Sequence, residues 1–165
     1  MPETKQPLEQ AKGGSRPAFD LMVGPLIEPG YRLAYSVLLD RQAAEDAVQE
    51  AAVKAWLHLD RLRDHAVLAP WFYAIVANQC RTLRRARWWS VLKGIEVRPI
   101  ADDLRRALLA LKPEDRALLV LHYYHGLTLD GTARALSISA GAAKSRLHRC
   151  LKRLRTDVEM REVGT

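Results

Sequence analysis

The sequence predicts an all-α protein built from two small helical modules joined by a short linker, the C-terminal module being a helix-turn-helix. Alanine, leucine and arginine, which favour helices, recur throughout, whereas runs of β-branched residues are short. Apolar and polar residues alternate over a few positions at most, so strands are not expected. With 165 residues, the chain fits one ordinary domain or two small ones, each with a modest core.

The positions of proline and glycine predict where the first elements begin and end. Residues 1–17 are polar and contain several of both, and we expect a disordered leader there. The first module spans residues 18–88. Its opening helix is expected to break at Pro25 and again at Pro29-Gly30, with a second helical run over residues 31–39.

Two longer helices complete the first module. Asp40 is placed to cap a helix over about residues 42–59. Residues 60–69 lack periodicity and are expected to form a loop. Pro70 then suits the first turn of a helix that runs to about Trp88.

The second module, residues 102–158, follows a predicted linker at residues 89–101. Asp102 is placed to cap a helix, Pro113 opens another, and Gly126 ends it. Thr128 and Ser139 then precede helices over about residues 128–136 and 140–155, each hydroxyl being placed as an N-cap. Two helices joined by so short a turn predict a helix-turn-helix.

The last helix has two chemically different sides. Stepping round it at 100° per residue places on the inner side Ala143, Leu147, Cys150, Leu151 and Leu154. The outer side carries Ser145, Arg146, Arg149, Lys152 and Arg153, and recognition helices present such residues, with Lys144, to base edges and phosphates. The alternative is a solvated basic face. Residues 140–155 hold six lysines and arginines and no acid, which favours DNA.

Charge is unevenly distributed along the rest of the chain as well. The net charge is +7, which suits a polyanionic partner. The helix after Pro70 carries Trp71, Asn78, Arg81 and Arg85 on one side, a pattern that can stack on unpaired bases, although Trp71 taken singly is better explained by packing in the core. The helix over residues 42–59 presents an acidic outer side that suits protein docking, or is simply solvated.

Other classes of site lack support in the sequence. Cys80 and Cys150 are far apart, and a buried thiol is expected at Cys150. His122 and His125 share a helix face without further ligands in view, so we expect no metal and no cofactor. No apolar stretch is long enough for a bilayer, which predicts a cytoplasmic protein without membrane insertion.

Four segments together resemble bacterial RNA polymerase sigma factors, and the two-module plan resembles the extracytoplasmic-function (ECF) group, group 4. They begin at Ala44 (AEDAVQEA), Ala69 (APWFYAIVAN), Leu111 (LKPEDRALLVL) and Lys144 (KSRLHR). Their order and spacing are far more specific than any one segment. Where the family usually has Glu-Ile-Ala in the first helix of the helix-turn-helix, this chain has Gly131-Thr-Ala.

The resemblance implies a promoter-specificity subunit and assigns roles to residues. Core polymerase would be bound, at its β′ clamp helices, by Asp46, Gln49, Glu50 and Val53, and the β flap is a further expected contact. The minus-ten element would be bound, with help from the loop at residues 60–69, by Arg61, Arg63, Trp71, Asn78, Arg81, Arg84 and Arg85. The minus-thirty-five element would be bound by Thr128, Lys144, Ser145, Arg146, Arg149 and Arg153. The linker would follow the RNA exit path, and an anti-sigma factor is expected to silence the protein.

Two other functions remain open on the sequence. A stand-alone helix-turn-helix regulator would need no acidic docking face and would normally dimerise on a palindrome. A nucleic-acid enzyme would need a carboxylate or histidine cluster beside a basic cleft, and the sequence suggests none. We therefore expect no catalytic residues.

Overall fold

The computed structural model describes residues 5–88 and 103–162, and every regular element in these ranges is helical. The N-terminal helices are α1 (Lys5–Lys12), α2 (Arg16–Leu38), α3 (Arg41–Leu57) and α4 (Leu68–Trp88), with 3-10 turns at Leu59–Arg61 and His65–Val67 before α4. The C-terminal helices are α5 (Asp103–Ala110), α6 (Pro113–Leu119), α7 (Leu129–Leu136) and α8 (Ala140–Glu162), with a π-helical turn at Val120–Tyr124. The all-α prediction is confirmed. The linker at residues 89–101 and the cap at Asp102 lie outside the described residues.

Hydrogen-bonded caps place the helix starts close to their predicted positions. The Ala43 amide donates to the Asp40 carboxylate at 2.8 Å, which begins α3. Thr128 caps α7 and Ser139 caps α8 in the same way, at 3.0 and 3.1 Å. Each cap satisfies an amide that the first turn of a helix leaves unpaired.

The prediction of a disordered leader is wrong for residues 5–12, which form α1. Leu8 and Ala11 are buried against α2 and the turn at Leu59–Arg61, three residues apart and hence on one face. Pro7 lies in the first turn, where its missing N–H has no helical partner to lose. The segment is polar overall, but Leu8 and Ala11 form an apolar stripe that the rest of the module buries.

The predicted breaks at Pro25 and Pro29 are also absent, since α2 is continuous through both prolines. Each proline removes one backbone donor and would cost about 3 kcal/mol in an isolated helix. Burial on both sides of this segment, including Val23 and Leu33, outweighs that cost. Tertiary packing therefore joins two predicted helices into one.

Gly30 lies where α2 packs closely against α4. A Cβ atom there would come within 3.1 Å of Phe72 Cε1 and 3.5 Å of Val76 Cγ2, both on fully buried side chains. Phe72 has no solvent side toward which it could move. Glycine therefore sets the distance between the two helices.

We expect Gly30→Ala to lower the free energy of unfolding by about 1 kcal/mol. Overpacking against Phe72 costs about 1–3 kcal/mol, and the better helix propensity of alanine offsets about 1 kcal/mol of it. Urea denaturation followed by circular dichroism measures the change. Gly24→Ala is the matched control, because a Cβ atom there meets nothing within 4 Å and should stabilise α2. Equal stabilisation by both substitutions would contradict the packing argument.

The two modules are packed together, which the sequence did not indicate. One buried cluster includes Val37 and Ala77 of the N-terminal module and Leu118, Leu121 and Leu136 of the C-terminal module. Contacts run from α4 to α7 and from α2 to α6. The expectation of two separate modest cores is thus replaced by one shared core, beside a smaller cluster centred on Cys150. Within the described ranges, no helix combines the length and apolar character that a membrane crossing requires.

Candidate nucleic-acid interface

The basic face of α8 is presented largely as predicted. Ala143 and Cys150 are buried, which turns the opposite side outward. The exposed residues of the predicted set are Lys144, Ser145, Arg149 and Arg153. Leu151 was predicted to face inward but is 41% exposed, because the neighbouring apolar cluster reaches only Leu147, Cys150 and Leu154.

Two of the predicted minus-thirty-five residues are already engaged in the structure. Arg146 is half-buried, and its Nε atom lies 3.6 Å from Oδ1 of Asp115 on α6. Thr128 is exposed, but its hydroxyl accepts the Gly131 amide as the cap of α7. Of the predicted minus-thirty-five residues, Arg146 on α8 and Thr128 at the start of α7 are therefore less available than their sequence suggests.

The predicted minus-ten residues on α4 divide into two groups. Asn78 and Arg85 are exposed, and Trp71 is half-buried against the core. Arg81 and Arg84 point toward the C-terminal module. Arg81 Nη2 donates to the Leu136 carbonyl at 2.7 Å while its Nη1 donates to Asn78 at 2.8 Å, and Arg84 pairs with Glu114.

Two buried leucines anchor the predicted loop at residues 60–69 on the core. Leu59 and Leu62 are buried, so the neighbouring Arg61 and Arg63 side chains point outward. Asp64 accepts the Ala66 amide at 3.0 Å and tightens the turn before α4, which begins at Leu68, two residues before Pro70. The segment is thus two short turns carrying two exposed arginines.

The outer side of α3 forms an exposed acidic and apolar face, made of Asp46, Gln49, Glu50, Val53 and Leu57. Val53 is 53% exposed and Leu57 is 65% exposed. Lys54 Nζ lies 3.6 Å from Glu50 and also donates to Gln79 at 3.2 Å, which fixes one edge of the face. Leu57 was not predicted as a site residue, although its spacing of four from Val53 could have indicated it.

A cleft of about 220 Å³ separates part of the two modules. Arg81, Arg84 and Arg146 line it beside Glu114, with Val37 and Leu136 among its apolar residues. Burial opposes ionisation of Glu114, but its own backbone amide and the Arg84 guanidinium outweigh burial and hold its pKa below the usual range. Glu114 is therefore a carboxylate at neutral pH, and the cleft holds charges of both signs.

Arg116 is the residue that sequence reasoning missed entirely. It is 7% exposed, and its guanidinium donates to the carbonyls of Ser36, Val37, Leu109 and Leu111. Burial, with the nearby Arg84 charge, lowers its pKa. An arginine in the last turn of a short helix that begins with two acids carries no sequence signal for such a role.

The two thiols are buried and poorly suited to chemistry. Burial raises the pKa of Cys80 to about 12 and that of Cys150 to about 11. Thiolates are the reactive form of cysteine, so neither side chain is primed as a nucleophile. The predicted burial of Cys150 is confirmed.

Comparison with known proteins gives the same two-module order. Residues 24–90 match the family described as Sigma-70 region 2, and residues 101–154 match Sigma-70, region 4. The ECF RNA polymerase sigma factor SigM of Mycobacterium tuberculosis is 32% identical over 151 residues, covering 86% of this chain and 77% of that protein.

Two solved structures share the fold. The sigma factor RpoE of Bartonella quintana, in complex with the anti-sigma factor NepR, superposes with a TM-score of 0.73 at 23% identity, covering 86% of this chain and 96% of that one. CnrH, in complex with the cytosolic domain of CnrY, gives a TM-score of 0.73 at 25% identity, covering 95% and 97%. The arrangement of helices in this chain therefore has experimental counterparts.

Proposed function

The chain belongs to the sigma-70 family of RNA polymerase sigma factors and is an alternative sigma factor that directs transcription; we propose that it is a member of the extracytoplasmic-function group, group 4. Both modules match the family in order, and the relative of 32% identity carries the group's name. Sigma factors initiate transcription as binding subunits, so we propose no catalytic residue and a place of action beside polymerase in the cytoplasm.

Core polymerase would dock on the α3 face. Its carboxylates, Asp46 and Glu50, are exposed and suit arginine side chains on the β′ clamp helices. Val53 and the neighbouring Leu57 add an exposed apolar centre to the same side. Apolar centres rimmed by polar groups are typical of protein interfaces.

Promoter DNA would be bound at two points. Lys144, Ser145 and Arg149, which are exposed near the start of α8, would read the minus-thirty-five element in the major groove. Arg61, Arg63 and the Trp71–Arg85 side of α4 would hold the minus-ten element as its bases unstack. The single observation that carries this assignment is the exposed basic face of α8 over residues 140–155, a stretch without acidic residues, behind a capped helix-turn-helix.

Neither contact needs to be strong alone. When polymerase holds the two modules at a set spacing, binding of one raises the effective concentration of the other at its element. An anti-sigma factor is a further proposed partner, since the fold shared with RpoE is one that an anti-sigma factor binds. Such a partner could cover both DNA faces at once.

Run-off transcription tests the proposed function. Core polymerase is supplied with a promoter library, with and without the purified chain. We expect new start sites that depend on the chain. Absence of any chain-dependent transcript, while the chain binds core polymerase, would reject promoter-directed initiation.

Arg149→Ala is expected to weaken holoenzyme binding to the cognate promoter by about 10-fold, because one base contact is worth about 1–3 kcal/mol. Arg149 is exposed on the predicted reading side of α8. Anisotropy titration on promoter and scrambled upstream sequence measures the difference. Arg153→Ala, one turn further on, should weaken both DNAs equally as a phosphate contact. An equal loss on both DNAs for Arg149→Ala would make it a phosphate contact as well.

A further inference from the structure

A lysine lies at the edge of the acidic face of α3. The helix carries two cations, Arg41 in its first turn and Lys54 in its last. At about 100° per residue, Arg41 lies about 180° from Glu50, on the opposite side, whereas Lys54 lies about 40° from it. Within α3, Lys54 is therefore the positive charge placed to neutralise the Glu50 carboxylate.

The spacing of Glu50 and Lys54 favours a direct ion pair. Glutamate followed four residues later by lysine is the stabilising order on an exposed helix. In the structure, however, Lys54 Nζ lies 3.6 Å from Glu50 Oε1 and donates to Gln79 Oε1 at 3.2 Å. Charge-assisted hydrogen bonds to carboxylates are about 2.7–2.9 Å long. The ammonium thus gives its hydrogen bond to a neutral amide and leaves the carboxylate only loosely paired.

Gln79 is held in place by the core. It is 7% exposed, and Val76 and Cys80, its neighbours on α4, are fully buried. The side chains of Lys54 and Glu50, by contrast, are 41% and 54% exposed. Since the buried amide has less freedom than the half-exposed lysine, the ammonium is drawn toward α4 and away from the outer side of α3.

An open carboxylate matters for docking on a basic partner. An arginine forms two parallel hydrogen bonds with a carboxylate only when both carboxylate oxygens are accessible. A lysine that occupies Glu50 has to be displaced first, so the apparent affinity falls with the fraction of chains in which Glu50 is free. A lysine over this face also brings a like charge against the basic partner, which opposes binding.

We propose that Gln79 is a positioning residue for the docking of core polymerase: it tethers Lys54 to α4 and keeps Glu50 available to basic side chains of the polymerase. The inference rests on the proposed function, which assigns core polymerase to the α3 face. Gln79 is buried and does not touch the polymerase itself. Its effect passes through the Lys54 ammonium and disappears when that ammonium is removed.

Gln79→Met removes the tether. Methionine keeps the unbranched shape and the helix propensity of glutamine, while its sulfur is only a weak acceptor. The released ammonium then pairs with Glu50. We expect the affinity for core polymerase to fall about twofold, the size of an exposed pair at this spacing. Titration of labelled core polymerase with the full-length chain measures the change, and an unchanged affinity would overturn the proposal.

Lys54→Met is expected to act in the opposite direction. Removal of the competing charge should raise the affinity about threefold, within the range of exposed charge interactions. Lys12→Met is the matched control, because it removes a positive charge that lies 3.7 Å from Glu9 on α1. An affinity of Lys54→Met at or below that of the control would show that Lys54 does not compete for Glu50, and would overturn the proposal.

The double variant separates the tether from simple packing. If Gln79 acts through Lys54, Gln79→Met changes nothing in the Lys54→Met background. The same loss of affinity in both backgrounds would mean that Gln79 only supports the packing of α4 on α3, and would overturn the proposal. Circular dichroism of each chain checks that the helices are retained.

A measurement on the free wild-type chain requires no substitution in the core. NMR relaxation of the lysine ammonium groups compares Lys54 with Lys112, which is exposed. The tethered ammonium of Lys54 is expected to be the more restricted of the two. Equal mobility would show that the tether does not form in solution.

Glu50→Arg distinguishes failure of this inference from failure of the docking assignment. If that chain binds core polymerase as tightly as the wild type does, the assignment of α3 fails and the role of Gln79 fails with it. If Glu50→Arg weakens binding while Gln79→Met and Lys54→Met leave it unchanged, the tether alone is rejected.

Discussion

Replacing Glu50 with arginine is expected to weaken the binding of core polymerase by about 100-fold, or about 2.7 kcal/mol. Glu50 is exposed on α3 next to Val53, at the centre of the proposed docking face. The change replaces an attraction to a basic partner by repulsion, and opposed like charges at an interface cost several kcal/mol. Titration of labelled core polymerase with the purified chain measures the loss.

The fold should tolerate this substitution. Glu50 lies 3.6 Å from Lys54, and exposed pairs of this kind contribute about 0.2–0.5 kcal/mol. Asp20→Arg is the matched control, since it makes the same charge change on the exposed side of α2. Equal affinity of the Glu50→Arg chain and the control for core polymerase would remove α3 from the docking assignment.

Phe72→Ala is expected to lower the free energy of unfolding by about 3–5 kcal/mol. Phe72 is fully buried at the crossing of α2 and α4, where Gly30 brings the two helices together. The cavity left by the ring could not collapse without moving α2. Since domains of this kind are stable by about 5–15 kcal/mol, a loss of this size is a large part of the total.

Urea denaturation of the wild-type chain and of the Phe72→Ala variant measures this loss of unfolding free energy. Phe72→Leu keeps most of the apolar volume and should cost less than about 1.5 kcal/mol. A loss for Phe72→Ala as small as that of the leucine variant would mean that α2 and α4 repack, and would contradict the rigid crossing set at Gly30.

Local chemistry explains which elements the sequence predicted well. Asp40, Thr128 and Ser139 cap helices through contacts within four residues, and such contacts can be read from the chain alone. The inward position of Ala143 and Cys150 follows from helical periodicity in the same way. Features that depend on neighbours in the sequence could therefore be predicted from the sequence alone.

Features that depend on contacts between distant segments could not be predicted from the sequence. α2 passes through Pro25 and Pro29 because helices far along the chain pack on it, and α1 forms because α2 and a turn near Leu59 cover Leu8. Periodicity describes one helix at a time and contains no information about which helices meet. The same limit applies to the two modules, whose shared core has no local signal.

The candidate site shows the same division. Periodicity identified the exposed positions of Lys144 and Arg149 on α8 and of Asp46 and Glu50 on α3. It also placed Arg146 outward, whereas Asp115 draws this side chain toward α6. The buried guanidinium of Arg116 was beyond prediction, because its partners are backbone carbonyls that every residue possesses.

The core shared by both modules has a consequence for synthesis on the ribosome. Val37 and Ala77 are covered by Ala117 and Leu136, so the first module emerges with an apolar patch that its own residues do not close. From Trp88 to Leu136 is 48 residues, which takes roughly 2–10 s to translate at 5–20 residues per second. During that interval the nascent chain exposes this apolar patch, and transiently exposed apolar surface promotes aggregation until α6 and α7 have been synthesised.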